Sequence, residues 1–358
     1  MKKEDEGDRS LDRGAAAYRL PAVGRPPDPP MLRKIALEEH FNFIGTKTSG
    51  PSEGLEEIVS AMDYDRTWLD IVGRRLVELG EQRLADMDSS GIDVAILSLT
   101  VPGIQGIFDR AEAVSQARET NDFLAAQVTK HPQRFAGFAC LPLQDPVEAA
   151  REFERCVTRL GFKGAMVNGY TNTADGAQYL DEARFAPFWE AAAALRAPVY
   201  LHPRPPLDQR SYEGHPELIG ATWGFAPETA THALRLVYSG LFDRWPQLTV
   251  ILGHLGETLP YFSWRIQRCF EYNPSGKRLQ KRLQDYLCEN FYVTTSGNFN
   301  DQALICAVLT IGADRILFSV DYPYEMMEPA AHWIERAPIS ENDRRKIAAA
   351  NARALFRL

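Results

Sequence analysis

From residue 34 onward, short apolar runs rich in β-branched residues alternate with longer segments of helical periodicity. The runs predict eight strands, at residues 34–38, 94–99, 135–141, 165–168, 198–202, 249–254, 291–295 and 316–321. Predicted helices cover residues 110–130, 146–159, 183–195, 227–238 and 301–311, and residues 258–290 should hold more than one helix. These segments are long enough for right-handed crossovers between parallel strands, so the pattern predicts an α/β fold, a closed (β/α)8 TIM barrel.

An open, doubly wound parallel sheet shares this alternation and is the alternative fold. It is disfavoured because no glycine-rich phosphate loop follows the first predicted strand, where the chain has Leu37-Glu-Glu-His40 instead. A final helix is predicted over residues 342–356, with Ile347, Leu355 and Phe356 packed against the barrel.

The first thirty residues differ in composition from the rest. They combine charged residues with prolines at positions 21, 26, 27, 29 and 30, which prevent helix propagation and sheet pairing. We therefore expect a disordered N-terminal arm over residues 1–30 and a single barrel catalytic domain over residues 31–358. Met31 directly precedes the first predicted strand, which leaves open whether the arm belongs to the native protein.

Composition narrows the possible partners and location. A formal net charge of −8 without a long basic run argues against a nucleic-acid-binding surface, so an anionic substrate would need a local positive centre. No apolar stretch approaches the roughly twenty residues of a membrane span, and no signal-peptide segment is visible. The five scattered cysteines, never spaced as CxxC, predict reduced core thiols and a soluble, cytoplasmic protein.

Metal-ligand residue types stand where several predicted strands end, and these ends converge on one face of a barrel. Glu38 ends the first predicted strand and His40 comes two residues later, His202 ends the fifth strand, and Asp321 ends the eighth. Because side chains alternate along a strand, Glu38 and His40 project to the same side and can reach one ion. Two imidazoles and two carboxylates predict a mixed N/O site for one divalent ion, such as zinc, manganese, iron or magnesium.

A further histidine, His254, ends the sixth predicted strand in the motif Gly253-His-Leu-Gly-Glu257. Glu257 is close enough in sequence to orient the imidazole, which predicts an acid/base or charge-stabilising pair, with a further metal ligand as the alternative role. Three of the remaining histidines are expected at the surface: His131, His215 and His332. The fourth, His232, is expected to pack against or cap a helix.

Five motifs occur in order along the chain: Lys34-Ile-Ala-Leu-Glu-Glu-His-Phe41, Tyr200-Leu-His-Pro-Arg204, Ile251-Leu-Gly-His-Leu-Gly-Glu257, Thr294-Thr-Ser-Gly-Asn-Phe299 and Ile316-Leu-Phe-Ser-Val-Asp-Tyr-Pro323. Together they resemble the γ-resorcylate (2,6-dihydroxybenzoate) decarboxylases of the amidohydrolase superfamily. The 2,3-dihydroxybenzoate decarboxylases share most of these motifs, and aminocarboxymuconate semialdehyde decarboxylase is a wider relative. The resemblance covers about residues 34–358.

The resemblance implies a TIM barrel of the metal-dependent hydrolase type, assembled as a homotetramer or homodimer. It implies a metal site of Glu38, His40, His202 and Asp321, with His254 and Glu257 as the catalytic pair beside it. Two further residues are candidates for substrate binding: Arg265 and Asn168.

The implied reaction is reversible, nonoxidative decarboxylation of an ortho-hydroxylated benzoic acid, foremost 2,6-dihydroxybenzoate to resorcinol and carbon dioxide. It needs one divalent ion (manganese, zinc or magnesium) and no organic cofactor. Asp321 is the expected proton donor to the ring carbon that bears the carboxylate, while His254 stabilises the ring oxyanion or relays a proton. The alternatives are a metal-dependent hydrolase of a lactone or amide and a non-catalytic binding protein.

Overall fold

Eight parallel strands form one sheet in the part of the chain that the computed structural model describes, residues 31–43 and 65–358. Neighbouring strands follow chain order, and the first and last meet through a hydrogen bond from Leu37 N to Phe318 O at 3.3 Å. This closure turns the sheet into a barrel and excludes the doubly wound alternative. The predicted (β/α)8 TIM barrel is confirmed.

In chain order the strands are β1 (Lys34–Phe41), β2 (Ile92–Leu99), β3 (Phe135–Ala139), β4 (Gly164–Asn168), β5 (Thr171–Thr173), β6 (Gly176–Gln178), β7 (Val199–His202), β8 (Val250–Leu252), β9 (Phe291–Thr294) and β10 (Ile316–Leu317). All except β5 and β6 belong to the barrel. Those two form an antiparallel hairpin that the sequence pattern did not predict, because its three-residue strands are too short to show alternation.

The helices are α1 (Arg66–Val77), α2 (Glu81–Ser89), α3 (Arg110–Lys130), α4 (Pro146–Thr158), α5 (Ala186–Leu195), α6 (Phe225–Tyr238), α7 (Leu241–Arg244), α8 (Leu259–Tyr272), α9 (Leu283–Asn290), α10 (Asp301–Ile311), α11 (Met327–Arg336), α12 (Glu341–Arg345) and α13 (Asn351–Phe356). Every predicted helix is present to within a few residues. The final predicted helix contains a π-helical turn, Lys346–Ala350, between α12 and α13.

Side-chain caps explain where several of the long helices begin. The Asp109 carboxylate accepts a hydrogen bond from Glu112 N at the start of α3, and Asn300 does the same for α10. At α4, Asp145 caps the first turn and Pro146 occupies the first helical position, where its missing N–H costs nothing. These capping residues lie in the loops between a strand and the next helix, so the local sequence sets where each helix begins.

The barrel interior is a cluster of large apolar side chains from seven of the eight barrel strands, against which the partly buried Tyr292 of β9 packs: Ile35, Leu37, Ile96, Phe138, Met166, Tyr200, Ile251 and Leu317. The C-terminal helix closes this core, because Phe356 packs against Phe138 with ring centroids 5.6 Å apart. Ile347 is also fully buried, and its carbonyl accepts a hydrogen bond from Phe318 N at 2.9 Å. The terminal segment therefore packs against the barrel as predicted.

The predicted arm over residues 1–30 lies outside the described residues, so the domain boundary at residue 31 stays a prediction. Leu32–Leu358 forms one compact unit. Among the described helices, none has the length and apolar character needed to traverse a bilayer. The prediction of core thiols holds for Cys140 and Cys156, which are buried, but is wrong for Cys269, which is exposed on α8.

Candidate metal centre and active site

A bulge in β1 decides which of its side chains enter the barrel. Leu37 packs in the interior, so regular alternation would turn Glu38 and His40 outward and Glu39 inward. Glu38 instead has a φ of 56°, and the pairing register with β2 shifts between Ala36 and Glu39. The extra residue reverses the alternation, as β-bulges do, and brings Glu38 and His40 to the inner face. The prediction that they share a side is right, but alternation alone would have chosen the wrong side.

Four predicted ligands meet at the carboxyl end of the barrel. One ligand atom from each of Glu38, His40, His202 and Asp321 lies within 4.8 Å of the other three. His40 Nε2 is 3.3 Å from Asp321 Oδ1, and His202 Nε2 is 3.3 Å from Glu38 Oε1. Two barrel strands, β1 and β7, and the loop after β10 thus supply a single cluster.

The protonation states of the cluster suit a cation. Burial lowers the pKa of His40, so its ring is neutral and has a lone pair to offer. Burial raises the pKa of Glu38, but the three surrounding imidazoles, His254 first among them, outweigh it and leave the pKa below its ordinary value. Glu38 is therefore an anion held in a fully buried position.

Unpaired, buried atoms of the cluster indicate that a metal ion fits between its side chains. Glu38 Oε1 and His40 Nε2 are buried and have no hydrogen-bond partner among the described residues. A buried, unsatisfied charge is costly, and a divalent ion would satisfy both atoms at once. The donor set, two imidazole nitrogens and two carboxylate oxygens, matches the ligands that zinc and manganese accept. The residues present therefore fit one divalent ion.

Hydroxyl groups below the cluster fix the Glu38 carboxylate. Tyr200, on β7, donates its phenolic hydrogen to Glu38 Oε2, and its oxygen also lies 2.7 Å from Thr294 Oγ1. The Thr294 hydroxyl oxygen in turn lies 2.9 Å from Ser296 Oγ, which accepts a hydrogen bond from His254 N. This buried chain joins a candidate ligand to the backbone of the candidate acid/base residue.

A hydroxyl group also orients the His40 ring. Ser98 Oγ lies 3.3 Å from His40 Nδ1, so the other ring nitrogen, Nε2, faces the cluster.

His254 and Glu257 form the predicted pair beside the cluster. His254 Nδ1 lies 2.6 Å from Glu257 Oε1, and Nε2 of the same ring lies 3.6 Å from Asp321 Oδ2. Burial lowers the pKa of His254, but Glu257, Glu38 and Asp321 outweigh it and raise the pKa well above its ordinary value. The imidazole is therefore protonated at neutral pH and places a positive charge beside Asp321.

Exposure separates the open side of the site from its buried side. The side chains of Glu38 and His40 are inaccessible, whereas those of Asp321 and His254 are 15% and 24% exposed. A substrate entering from solvent therefore meets Asp321 and His254 first.

Backbone strain is concentrated at the same residues. Glu38, His254, Glu257 and Asp321 all have positive φ angles, between 51° and 80°, which non-glycine residues rarely adopt. Such conformations cost on the order of 1–3 kcal/mol each and persist where the surrounding structure imposes them. Gly297, with a φ of 58°, lies against the site, because a Cβ there would be 3.0 Å from His254 Cδ2 and 3.2 Å from Asp321 Oδ2.

A family model described as amidohydrolase matches residues 39–358. The chain belongs to the amidohydrolase family. It is 50% identical to γ-resorcylate decarboxylase of Polaromonas sp. (strain JS666) over 334 residues, which cover 92% of this chain and 99% of that protein.

Solved structures of dihydroxybenzoate decarboxylases are also similar to this chain. A crystal structure of 2,6-dihydroxybenzoate decarboxylase complexed with 2,6-dihydroxybenzoate has a TM-score of 0.84 and 47% identity, covering 92% of this chain and 100% of the other. A dihydroxybenzoic acid decarboxylase from Polaromonas sp. JS666, with bound manganese and the inhibitor 2-nitroresorcinol, has a TM-score of 0.84 and 49% identity, covering 92% and 98%. The amidohydrolase fold of these proteins extends over nearly all of this chain.

The two candidate substrate-binding residues of this amidohydrolase lie in different surroundings. Asn168 ends β4, is in register with His202 and is two residues beyond the inward-facing Met166, so it points into the same end of the barrel. Its Nδ2 donates to Leu99 O at 3.3 Å, while Oδ1 is buried and unpaired among the described residues. Arg265 is exposed on α8. Neither role is tested by this arrangement, and both stay predictions.

Several residues at the site of this amidohydrolase were not predicted to function there. Tyr200 and Thr294 lie in two of the quoted motifs, yet their hydroxyl groups become relevant only because β7 and β9 bring them beneath Glu38. The ring of Tyr324 lies against His40, with centroids 5.6 Å apart. The predictions for the other histidines are confirmed: His215 and His332 are exposed, His131 is at the surface, and buried His232 accepts a hydrogen bond from Leu180 N.

Proposed function

We propose that this amidohydrolase is a metal-dependent decarboxylase of ortho-hydroxylated benzoic acids, with 2,6-dihydroxybenzoate as its substrate and resorcinol and carbon dioxide as products. The observation that carries the proposal is the four-residue cluster within 4.8 Å, flanked by a partly exposed, charged histidine. Further support comes from two proteins to which this chain is similar. One is a γ-resorcylate decarboxylase, and the other is a 2,6-dihydroxybenzoate decarboxylase whose structure contains 2,6-dihydroxybenzoate.

Glu38, His40, His202 and Asp321 would hold the divalent ion. Manganese is the ion that we propose among manganese, zinc and magnesium, because the similar Polaromonas enzyme contains it. When bound, a divalent ion supplies positive charge that orients an anionic aromatic acid and offsets its charge. Together with the imidazolium of His254, it provides the local positive centre that an overall acidic protein needs for an anionic substrate.

Asp321 is the proposed proton donor. Direct loss of carbon dioxide would leave an electron pair in the plane of the ring, where the π system cannot delocalise it. Protonation of the ring carbon that bears the carboxylate avoids this, because an ortho-oxyanion supplies the electron density for the new C–H bond. The C–C bond to the carboxylate then breaks, its electron pair restores the aromatic π system, and carbon dioxide leaves. Asp321 regains its proton from solvent, to which it is partly open.

His254 stabilises the developing charge on the substrate. Its Nδ1 is occupied by Glu257, so Nε2, which faces Asp321 at 3.6 Å, is the nitrogen that can contact a ring oxygen. We propose that Asn168 and Arg265 contact the substrate as well. For Asn168, the support is its unpaired Oδ1 at the end of the barrel that holds the cluster.

We further propose a homotetramer or homodimer and a cytoplasmic location. The support for assembly is a set of exposed aromatic side chains on α8, with Tyr261 77% and Trp264 71% exposed. The support for the location is that all five cysteines are free thiols.

The deciding experiment compares manganese-loaded protein on 2,6-dihydroxybenzoate, 2,3-dihydroxybenzoate and 2-hydroxybenzoate, with release of carbon dioxide as the readout. We expect the fastest release from 2,6-dihydroxybenzoate. Absence of release from all three acids, together with hydrolysis of a lactone or amide, would overturn the proposal in favour of a hydrolase.

The proton donor is tested by Asp321→Asn, which keeps an oxygen ligand but has no acidic proton. We expect it to bind manganese and to lose turnover. Glu325→Gln is the matched control, because Glu325 is a neighbouring, exposed carboxyl group four residues further on. Near-native turnover by Asp321→Asn with manganese bound would refute the assignment.

A further inference from the structure

The barrel closes along a seam between β1 and the segment that follows β10. At this seam β10 contains only two residues, and a single bridge pairs Leu37 with Ser319. The seam also joins two parts of the candidate metal centre, since Glu38 and His40 lie on one side and Asp321 on the other. Whatever holds the seam together therefore sets the spacing of these three side chains.

At the seam, the N–H group of Val320 forms its hydrogen bond with a side chain. With Leu37 opposite Ser319, a regular parallel ladder would have Val320 N donate to the Leu37 carbonyl. Val320 N donates instead to Glu39 Oε1 at 3.0 Å. The main-chain ladder resumes beyond it, where His40 N donates to Tyr322 O at 2.7 Å. The Glu39 carboxyl group thus supplies the acceptor for the residue just before Asp321.

A second buried group secures the other side of Asp321. Arg83, on α2, donates from Nη2 to His40 O at 2.7 Å, and its guanidinium carbon lies 4.8 Å from the centre of the Tyr322 ring. Glu39 and Arg83 are both inaccessible to solvent. Glu39 lies on the outer face of β1 and Arg83 reaches that face from α2, and they contact Val320 and Tyr322, the residues on each side of Asp321. Among the described residues, neither side chain forms a hydrogen bond with a side chain of the cluster.

We propose that Glu39 is a positioning residue for the metal centre. Its carboxyl oxygen holds the Asp321 segment against β1, so that Asp321 Oδ1 stays 3.3 Å from His40 Nε2 across the seam. This inference rests on the metal site of the proposed function. The property that matters is the hydrogen-bond acceptor at Oε1, and a residue that keeps this acceptor should keep the spacing.

The test measures the dissociation constant for Mn²⁺ by calorimetry on the full-length protein. Glu39→Gln retains an acceptor oxygen at the same position, and we expect it to bind Mn²⁺ like the wild type. Glu39→Leu removes the acceptor, and we expect affinity about 10- to 100-fold weaker, the usual effect of losing a group that orients metal ligands. Rescue by the amide separates this role from a requirement for charge.

The matched control is Glu152→Leu. Glu152 is another buried carboxylate, which binds Asn121 and Arg155 between α3 and α4, away from the seam. We expect this variant to lose stability while its affinity for Mn²⁺ stays at the wild-type value. If Glu39→Leu does not fold, Glu39→Asp replaces it, because the shorter side chain withdraws the acceptor from Val320 N.

The outcomes distinguish the two proposals. Wild-type affinity in the variant without the acceptor, weak binding by Glu39→Gln, or an equal loss in Glu152→Leu would each overturn the positioning role alone. Failure of the wild-type protein to bind Mn²⁺ would instead refute the proposed function and, with it, this inference.

Discussion

His254 Nδ1 lies 2.6 Å from Glu257 Oε1, only three residues away, because both residues adopt positive φ angles in the turn after β8. This contact has two consequences. It directs the opposite ring nitrogen toward Asp321, and it helps to hold the pKa of His254 well above its ordinary value against the lowering effect of burial. The turn therefore determines both the orientation and the charge of the imidazole.

Glu257→Gln should lower kcat by about 10²-fold or more, because the amide keeps the contact but removes the negative charge that supports the imidazolium. With that charge gone the pKa of His254 falls. The protonated imidazole is then lost at a lower pH, so the alkaline limb of the kcat profile should move to lower pH. Steady-state kinetics across pH measures both effects.

The control for this variant is Glu217→Gln. His215 and Glu217 form a similar pair, with Nδ1 and Oε1 3.0 Å apart, but both side chains are exposed to solvent. We expect its pH profile to match that of the wild type. An unchanged alkaline limb in Glu257→Gln would show that the charge of His254 is not needed.

Tyr200→Phe should weaken Mn²⁺ binding by about 10-fold, because Glu38 loses the hydroxyl that holds its second oxygen. The phenyl ring still fills the barrel interior, so the fold should persist. Tyr286→Phe is the control, since Tyr286 is equally buried and donates to Asp243 outside the site. Equal Mn²⁺ affinity for Tyr200→Phe and wild type would contradict the role of the hydroxyl.

Gly297→Ala should reduce kcat while the protein remains folded. The added methyl group would lie 3.0 Å from His254 Cδ2 and 3.2 Å from Asp321 Oδ2, and must displace one of them. Gly161→Ala is the control, because Gly161 also has a positive φ but has open space where the methyl would lie. Both variants should lose about 1–2 kcal/mol of unfolding free energy from backbone strain, and only Gly297→Ala should lose activity. Equal kcat values for the two variants would argue against crowding at the site.

His232 should make stability sensitive to acid. Burial lowers its pKa to about 3, from an ordinary value of 6.5, so the folded protein holds the ring neutral. The unfolded chain binds a proton below pH 6.5 and the folded chain does not. The resulting stabilisation is fully present above pH 6.5. It decreases as the pH falls below 6.5 and is lost as the pH approaches 3.

The measurement is denaturant unfolding of wild type and His232→Gln from pH 7.5 to pH 4. Glutamine keeps an acceptor for Leu180 N but does not titrate. The free-energy difference between the two proteins should therefore shrink as the pH falls, on the order of 1 kcal/mol for each pH unit below 6.5. A difference independent of pH would show that the ring is not held neutral.

The alternation of apolar and helical segments was enough to predict the barrel, because each strand and crossover helix is a local pattern with its own period. The boundaries of the last strand could not be predicted in this way. The apolar run 316–321 looks continuous, but only Ile316–Leu317 pairs as a strand, and Asp321 stands in the loop beyond it. Strand length here depends on the seam with β1, which brings together residues almost 300 positions apart.

The identity of the candidate ligands could be predicted because histidine and acidic residues are conspicuous at the ends of apolar strands. Their direction could not. Alternation from Leu37 would have turned Glu38 and His40 away from the barrel, and only the bulge at Glu38 reverses this. The hydroxyls of Tyr200 and Thr294 give no signal of their own, since tyrosine and threonine are ordinary strand residues.

By itself, the sequence determined the class of fold, the kinds of ligand atom available and the motif in which His254 and Glu257 stand three residues apart, because each depends on short-range periodicity or spacing. Only the tertiary structure decided which face of β1 enters the barrel, how closely Glu38, His40, His202 and Asp321 approach, and which buried groups hold them. Those properties depend on the closure of the sheet, where hydrogen bonds between distant segments compete with the regular geometry of each strand.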